Sequence, residues 1–98
     1  MELSLTDRIA RVKNVASRQM GDTGETILLH LKSGYIYTCG DVGTFVWEAL
    51  QTPATVGDLV QKICDEFEVA EDTAVKDLNR FLGDLVAERL VTTSKGNA

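Results

Sequence analysis

Two apolar runs separated by a short polar stretch, then an abrupt change of period, dominate the middle of this chain. Residues 25–50 read ETILLHLKSGYIYTCGDVGTFVWEAL. The runs 26–31 and 35–39 carry β-branched and aromatic residues, and Lys32-Ser33-Gly34 between them is a turn signal, which predicts two antiparallel strands. From Asp41 the period becomes helical: Val42, Phe45, Val46, Ala49 and Leu50 fall at i, i+3, i+4, i+7 and i+8, so a helix over 42–50 has one apolar face, with Asp41 as its expected N-cap. Upstream, Val12, Val15 and Met20 mark a first strand over 11–20. The turn formers Gly21-Asp22-Thr23-Gly24 then let that strand fold back on 26–31. The expected sheet is a three-stranded meander with 35–39 at one edge.

Downstream the pattern is helical. Gln51-Thr52-Pro53-Ala54 breaks the first helix, and Thr55 with Asp58 three positions later has the form of a capping box opening a second. Val56, Leu59, Val60, Ile63, Cys64 and Phe67 make one continuous face, while Asp58, Gln61, Lys62, Asp65 and Glu66 form a solvated one. A third helix is expected over 72–90, with Val75, Leu78, Leu82, Leu85 and Val86 on its core stripe. Its apolar surface is wider than one stripe: Ala74, Phe81 and Leu85 lie on a flank bordered by Asp77 and Asp84. A phenylalanine there either caps the core edge or lines a groove beside the sheet. The tail 92–98 is polar, expected to fray or form a weak strand. The order β-β-β-α-α-α predicts an α+β fold, a three-stranded antiparallel sheet followed by three helices.

Length and charge narrow the functional classes. Ninety-eight residues suffice for a single domain, here residues 1–98 with a core over about 11–91. A net charge of −5 with only ten basic residues disfavours nucleic acid, whose phosphates call for clustered Lys and Arg. No apolar run approaches the roughly 20 residues of a bilayer span, and MELSLTDRIARVK lacks the apolar core of a signal peptide, so a cytoplasmic location without membrane association is expected. Cys39 and Cys64 sit among apolar neighbours and read as buried reduced thiols. His30 alternates with Leu29 and Leu31, which points it away from the core, and with one histidine no metal-ligand spacing is present. Trp47 reads as core, its N–H on a carbonyl, with contact to a partner enzyme as the functional alternative. No nucleophile elbow, phosphate loop or catalytic pair is recognisable, so neither catalysis nor a cofactor is expected.

One ordered set of motifs goes further. It comprises Ser33-Gly34-x-x-Tyr37-Thr38, the pair Gly43 and Trp47, Thr55-Val56-x-x-Leu59, and Asp77 with Phe81-Leu82 and Leu85. Together, over residues 12–91, these resemble the PqqD family, also known as RiPP recognition elements: small winged-helix-like domains that bind the leaders of ribosomally made precursor peptides. Two departures stand out. Cys39-Gly40 replaces the usual Leu-Asn, and Arg89 stands where a glycine commonly precedes the last apolar pair.

The resemblance implies a non-catalytic peptide-binding module. An exposed edge strand presents unpaired N–H and C=O groups that an extended peptide satisfies by adding a strand. The leader is expected along Tyr35, Ile36, Tyr37 and Thr38, its side chains contacting Ala74, Asp77, Phe81, Asp84 and Leu85. Implied partners are the precursor peptide and a modifying enzyme such as a radical SAM protein, leader peptidase or cyclase. An unpaired edge also permits an edge-to-edge dimer in place of a monomer. The alternative is a winged-helix DNA-binding or regulatory protein. Its third helix should be basic, yet residues 72–90 set Asp72, Asp77, Asp84 and Glu88 against Lys76, Arg80 and Arg89.

Overall fold

The strand and helix signals of the sequence resolve into two small sheets and three helices in the computed structural model, which describes residues 3–20 and 24–95. In chain order the elements are β1 (Arg8–Arg11), β2 (Val15–Gln19), β3 (Thr26–His30), β4 (Ile36–Cys39), α1 (Asp41–Ala49), β5 (Ala54–Thr55), α2 (Val56–Glu66), α3 (Glu71–Ala87) and β6 (Val91–Ser94). One sheet is the expected antiparallel meander β2-β3-β4, and the other is β5-β1-β6. The α+β class and the three helices stand, but the element order is richer than three strands followed by three helices.

Most of the difference comes from the second sheet. The single strand expected over 11–20 is two strands: β1 leaves the meander and pairs with β6, Arg11 opposite Val91 and Ile9 opposite Thr93. Ile9 and Val91 are buried, whereas Thr92, Thr93 and Ser94 are exposed. A strand that buries one apolar side chain has almost no period to detect, and its partner lies about eighty residues away. The tail beginning at 92 is therefore ordered strand through Ser94. Of the turn Gly21-Asp22-Thr23-Gly24, the first three residues lie outside the described ones. Gly24 has φ +74, a left-handed conformation suited to glycine, and its N–H donates to Met20 O at 3.0 Å.

The meander also corrects His30. Thr26, Leu28 and His30 form the buried face of β3, while Leu31 is 61 % exposed, so the phase is opposite to the one that Leu29 and Leu31 suggest. Burying an imidazole requires partners. Its Nδ1 accepts the N–H groups of Lys32 and Ser33, both at 3.2 Å, and so ties down the β3–β4 turn. Gly34 supplies that turn with φ +77.

In α1 the buried stripe is rotated by about one residue from expectation. Val46, Trp47 and Leu50 are buried beside Thr44, and Val42 is exposed. The N-cap is Gly40, with no side-chain cap; Asp41 instead occupies the first turn, where its charge favours the helix dipole. Trp47 is core as expected, but its Nε1 meets no hydrogen-bond partner among the described residues. The Arg11 guanidinium lies 4.2 Å from the centre of the indole ring and donates to Trp47 O, covering the tryptophan from the β1 side.

Helix α2 follows its sequence closely. Thr55 Oγ1 accepts the Asp58 N–H at 3.1 Å, and Val56, Leu59, Val60 and Ile63 are buried, with Cys64 and Phe67 half-buried. Phe67 meets Phe45 edge to face at 5.4 Å, joining α2 to α1.

Helix α3 buries Ala74, Leu78, Leu82 and Leu85 and stops three residues before the expected end. Leu90 N–H donates to Leu85 O at 2.8 Å and Arg89 N–H to Val86 O at 3.0 Å, a Schellman-type ending. That ending puts Arg89 at φ +60, where a non-glycine residue costs about 1–2 kcal/mol.

Candidate functional site

Strand β4 is an edge, and its geometry dictates what it can offer. The His30 N–H→Tyr35 O bond at 2.9 Å sets the phase of the β3–β4 ladder, in which Leu28 faces Tyr37 and Thr26 faces Cys39. Because antiparallel pairs alternate between hydrogen-bonded and open, Tyr37 and Cys39 direct their backbone groups to β3, and Ile36 and Thr38 direct theirs outward. Two N–H and two C=O groups thus line a side of β4 on which no strand pairs among the described residues. Side chains alternate with them: Cys39 is buried and Tyr37 half-buried towards the helices, and Ile36 and Thr38 are exposed on the other face.

Helix α3 runs beside this edge. Tyr37 packs against Phe81 with ring centres 6.1 Å apart and against Tyr35 at 6.5 Å, and its hydroxyl donates to Asp84 Oδ2 at 3.3 Å. Loss of solvent, and then the Asp84 carboxylate, push the Tyr37 phenol up to about 12, so it remains a neutral donor at physiological pH. Burial alone pushes the Cys39 thiol up to about 11, as suits a packing residue rather than a nucleophile.

Between β4, the start of α1 and α3 lies a cavity of about 150 Å³, lined by Thr38, Gly40, Val42, Gly43, Asp77 and Phe81 among others. Gly43 makes it possible. A Cβ on Gly43 would stand 3.0 Å from both Cys39 Cβ and Phe81 Cε1, so any larger residue would have to press the phenylalanine ring aside by a few tenths of an ångström.

The residues expected to bind peptide are therefore only partly assembled in one place. Tyr35, Tyr37, Phe81 and Asp84 come together through direct contacts, and Asp77 and Thr38 join them at the cavity. Ile36 belongs to the edge through its backbone, not through its side chain. Ala74 and Leu85, at 2 % and 0 % exposure, are core residues that support the groove from behind, because the buried stripe of α3 passes directly through them. Gly40, Val42 and Gly43 were not expected as lining. Val42 fell on the supposed core stripe of α1, and the rotation of that helix turned it to the surface.

The helix that flanks the edge is net acidic. Helix α3 carries Glu71, Asp72, Asp77 and Asp84 against Lys76 and Arg80. Among the described residues no group of three or more His, Cys, Asp and Glu side chains could hold a metal ion, and no helix is long and apolar enough to cross a membrane.

The fold and this site define a small α+β module whose sheet has an open edge flanked by an aromatic-bearing helix. The family model for coenzyme PQQ synthesis protein D (PqqD) matches residues 25–91, and the chain belongs to the PqqD family. Among solved structures it is similar to TbiB1 in complex with the TbiA(beta) leader peptide, with 30 % identity and a TM-score of 0.75 over 84 % of this chain and 93 % of that one. It is also similar in fold to lasso peptide synthetase B1 complexed with the leader peptide, with 19 % identity and a TM-score of 0.68 over 86 % of this chain and 96 % of that one. A comparison with curated proteins gave no match.

Proposed function

We propose that this chain captures the leader of a ribosomally made precursor peptide as an added strand on β4, beside α3, and presents it to a modifying enzyme without catalysing a reaction itself. The observation that carries this reading is the pairing of outward Ile36 and Thr38 backbone groups with the Tyr37, Phe81 and Asp84 cluster alongside. Likeness to two structures holding leader peptides supports it. Backbone groups supply affinity that does not depend on sequence, and the cavity floored by Gly43 selects an apolar side chain.

The magnitudes are consistent. Up to four backbone hydrogen bonds at about 0.5–1.5 kcal/mol each, plus a few buried apolar groups, must exceed the cost of ordering a disordered leader. A dissociation constant between about nanomolar and micromolar, roughly −12 to −8 kcal/mol, follows. Chemistry then belongs to a partner such as a radical SAM protein, a leader peptidase or a cyclase.

An NMR titration with the leader of the precursor encoded nearest its gene tests the reading. Shifts centred on residues 35–39 and on Phe81 are expected; unmoved amides there at saturating peptide would reject it.

A further inference from the structure

The groove beside β4 does not end at the apolar cavity. Following β4 backwards from Cys39 to Tyr37 and on to the turn at Ser33, the neighbouring residues of α3 advance from Phe81 to Asp84 and then to Glu88 and Arg89. Strand and helix thus run past each other in opposite senses, and a second, open cavity of about 420 Å³ forms where the turn meets the helix end. It is lined by His30, Lys32, Ser33, Ala87, Glu88 and Arg89.

The chemistry of this second cavity differs from the first. Lys32 and Arg89 bring two cations against one carboxylate, Glu88, in a chain whose net charge is −5. Among the described residues neither cationic side chain has a hydrogen bond or ion pair, so both are available. Their placement is imposed by the backbone. His30 Nδ1 holds the Lys32 and Ser33 amides, which sets the turn, and the φ of +60 at Arg89 turns its chain off the helix axis at a position glycine would occupy without strain.

Resting on the leader-binding reading, we infer that Lys32 and Arg89 form an acid-recognising subsite at the far end of the groove, taking a Glu or Asp side chain of the bound peptide. The ladder gives the spacing. An antiparallel added strand points to the helix side the residues that lie opposite Tyr35, Tyr37 and Cys39. Its C-terminal direction leads to the turn. A peptide with an apolar side chain in the cavity at Phe81 therefore places its acid about four to six residues further towards its own C-terminus, at about 3.3 Å per residue. Asp77 and Asp84 stand at the apolar end and in the middle, where they disfavour an acid at the intervening positions. The groove thus reads two features and their order, apolar first and acidic second.

Display selection of random fourteen-residue peptides on the intact protein tests this. Wild type should enrich peptides with an apolar residue followed about four to six positions later by Glu or Asp, and these should shift the amides of residues 35–39. Arg89→Gly removes the cation and relieves the backbone, so it should melt no lower than wild type while binding the selected peptides about five- to tenfold more weakly. Replacing the acid in the peptide by its amide should cost wild type the same factor and Arg89→Gly almost nothing. Edge-binding peptides with no acid preference, or affinity unchanged in Arg89→Gly, would overturn the subsite and leave the leader reading intact. Selected peptides that never touch residues 35–39 would overturn both.

Discussion

The meander has two edges, and on the proposed reading only β4 receives the leader. On β2, as on β4, the ladder leaves backbone groups outward: the Met20 N–H→Glu25 O bond sets a phase in which Ser17 and Gln19 face away from β3. By backbone alone the two edges are equivalent. Their flanks are not. β2 presents Ala16, Ser17, Arg18 and Gln19 to solvent, while β4 is bordered by Tyr35, Tyr37 and Phe81, a cavity floored by Gly43, and a carboxylate held by a phenol. An open edge is a general liability that many strands share; on the proposed reading, the helix laid beside β4 turns that edge into a selective site.

The sharpest way to break this comparison is a proline on each edge, at positions whose N–H faces outward and contributes nothing to the existing ladder. Thr38→Pro removes a donor and places a ring in the path of an added strand. It should weaken leader binding by at least about 30-fold, roughly 2 kcal/mol, in a fluorescence-anisotropy titration. Ser17→Pro should leave affinity within about twofold. Equal losses at both edges would mean that β4 holds no special position.

Next in size is Gly43→Val, which pushes Phe81 out of its place. Overpacking of this kind costs about 1–3 kcal/mol, to be seen as a lowered midpoint in chemical denaturation and as weaker peptide binding. Ala16→Val on the other edge meets solvent and should change neither.

A smaller effect concerns the phenol. Tyr37 is held at about 12 against an ordinary value of 10.0, so its neutral form contributes stability in full below about pH 10, lost as pH rises towards 12. Asp84→Asn should lower the midpoint of phenolate absorbance but leave it above 10, because burial, the larger cause, persists. The smallest expected change is at Cys39. With its thiol at about 11 and its side chain buried, it should resist iodoacetamide at pH 8 until the protein unfolds.

How much of this was legible in the sequence follows from how local each signal is. The turn at Lys32-Ser33-Gly34, the Thr55 cap and the α2 stripe depend on neighbours within a few residues, and all three were readable. The pairing of β1 with β6 joins opposite ends of the chain through one buried side chain each and left no period to find. Alternation gives His30 the wrong face because the apolar residues on both sides of it, Leu29 and Leu31, mimic a buried face that Leu28 actually sets. The α3 stripe is wide enough to show a flank with Phe81 on it and Asp84 at its border, but one stripe cannot say which flank residues are covered. Ala74 and Leu85 are; Val42, thought to be core, is not. The same limit hid the second cavity. Lys32 and Arg89 lie 57 positions apart, and only the ending of α3 against the turn brings them to one place.

Amide hydrogen exchange on the peptide-bound protein tests the central claim most directly, because it reads the two edges in one sample. With leader peptide saturating, the Ile36 and Thr38 amides should slow by more than about tenfold while those of Ser17 and Gln19 exchange as in the free protein. Protection of Ser17 and Gln19 instead, or of neither pair, would contradict the assignment of β4 as the receiving edge.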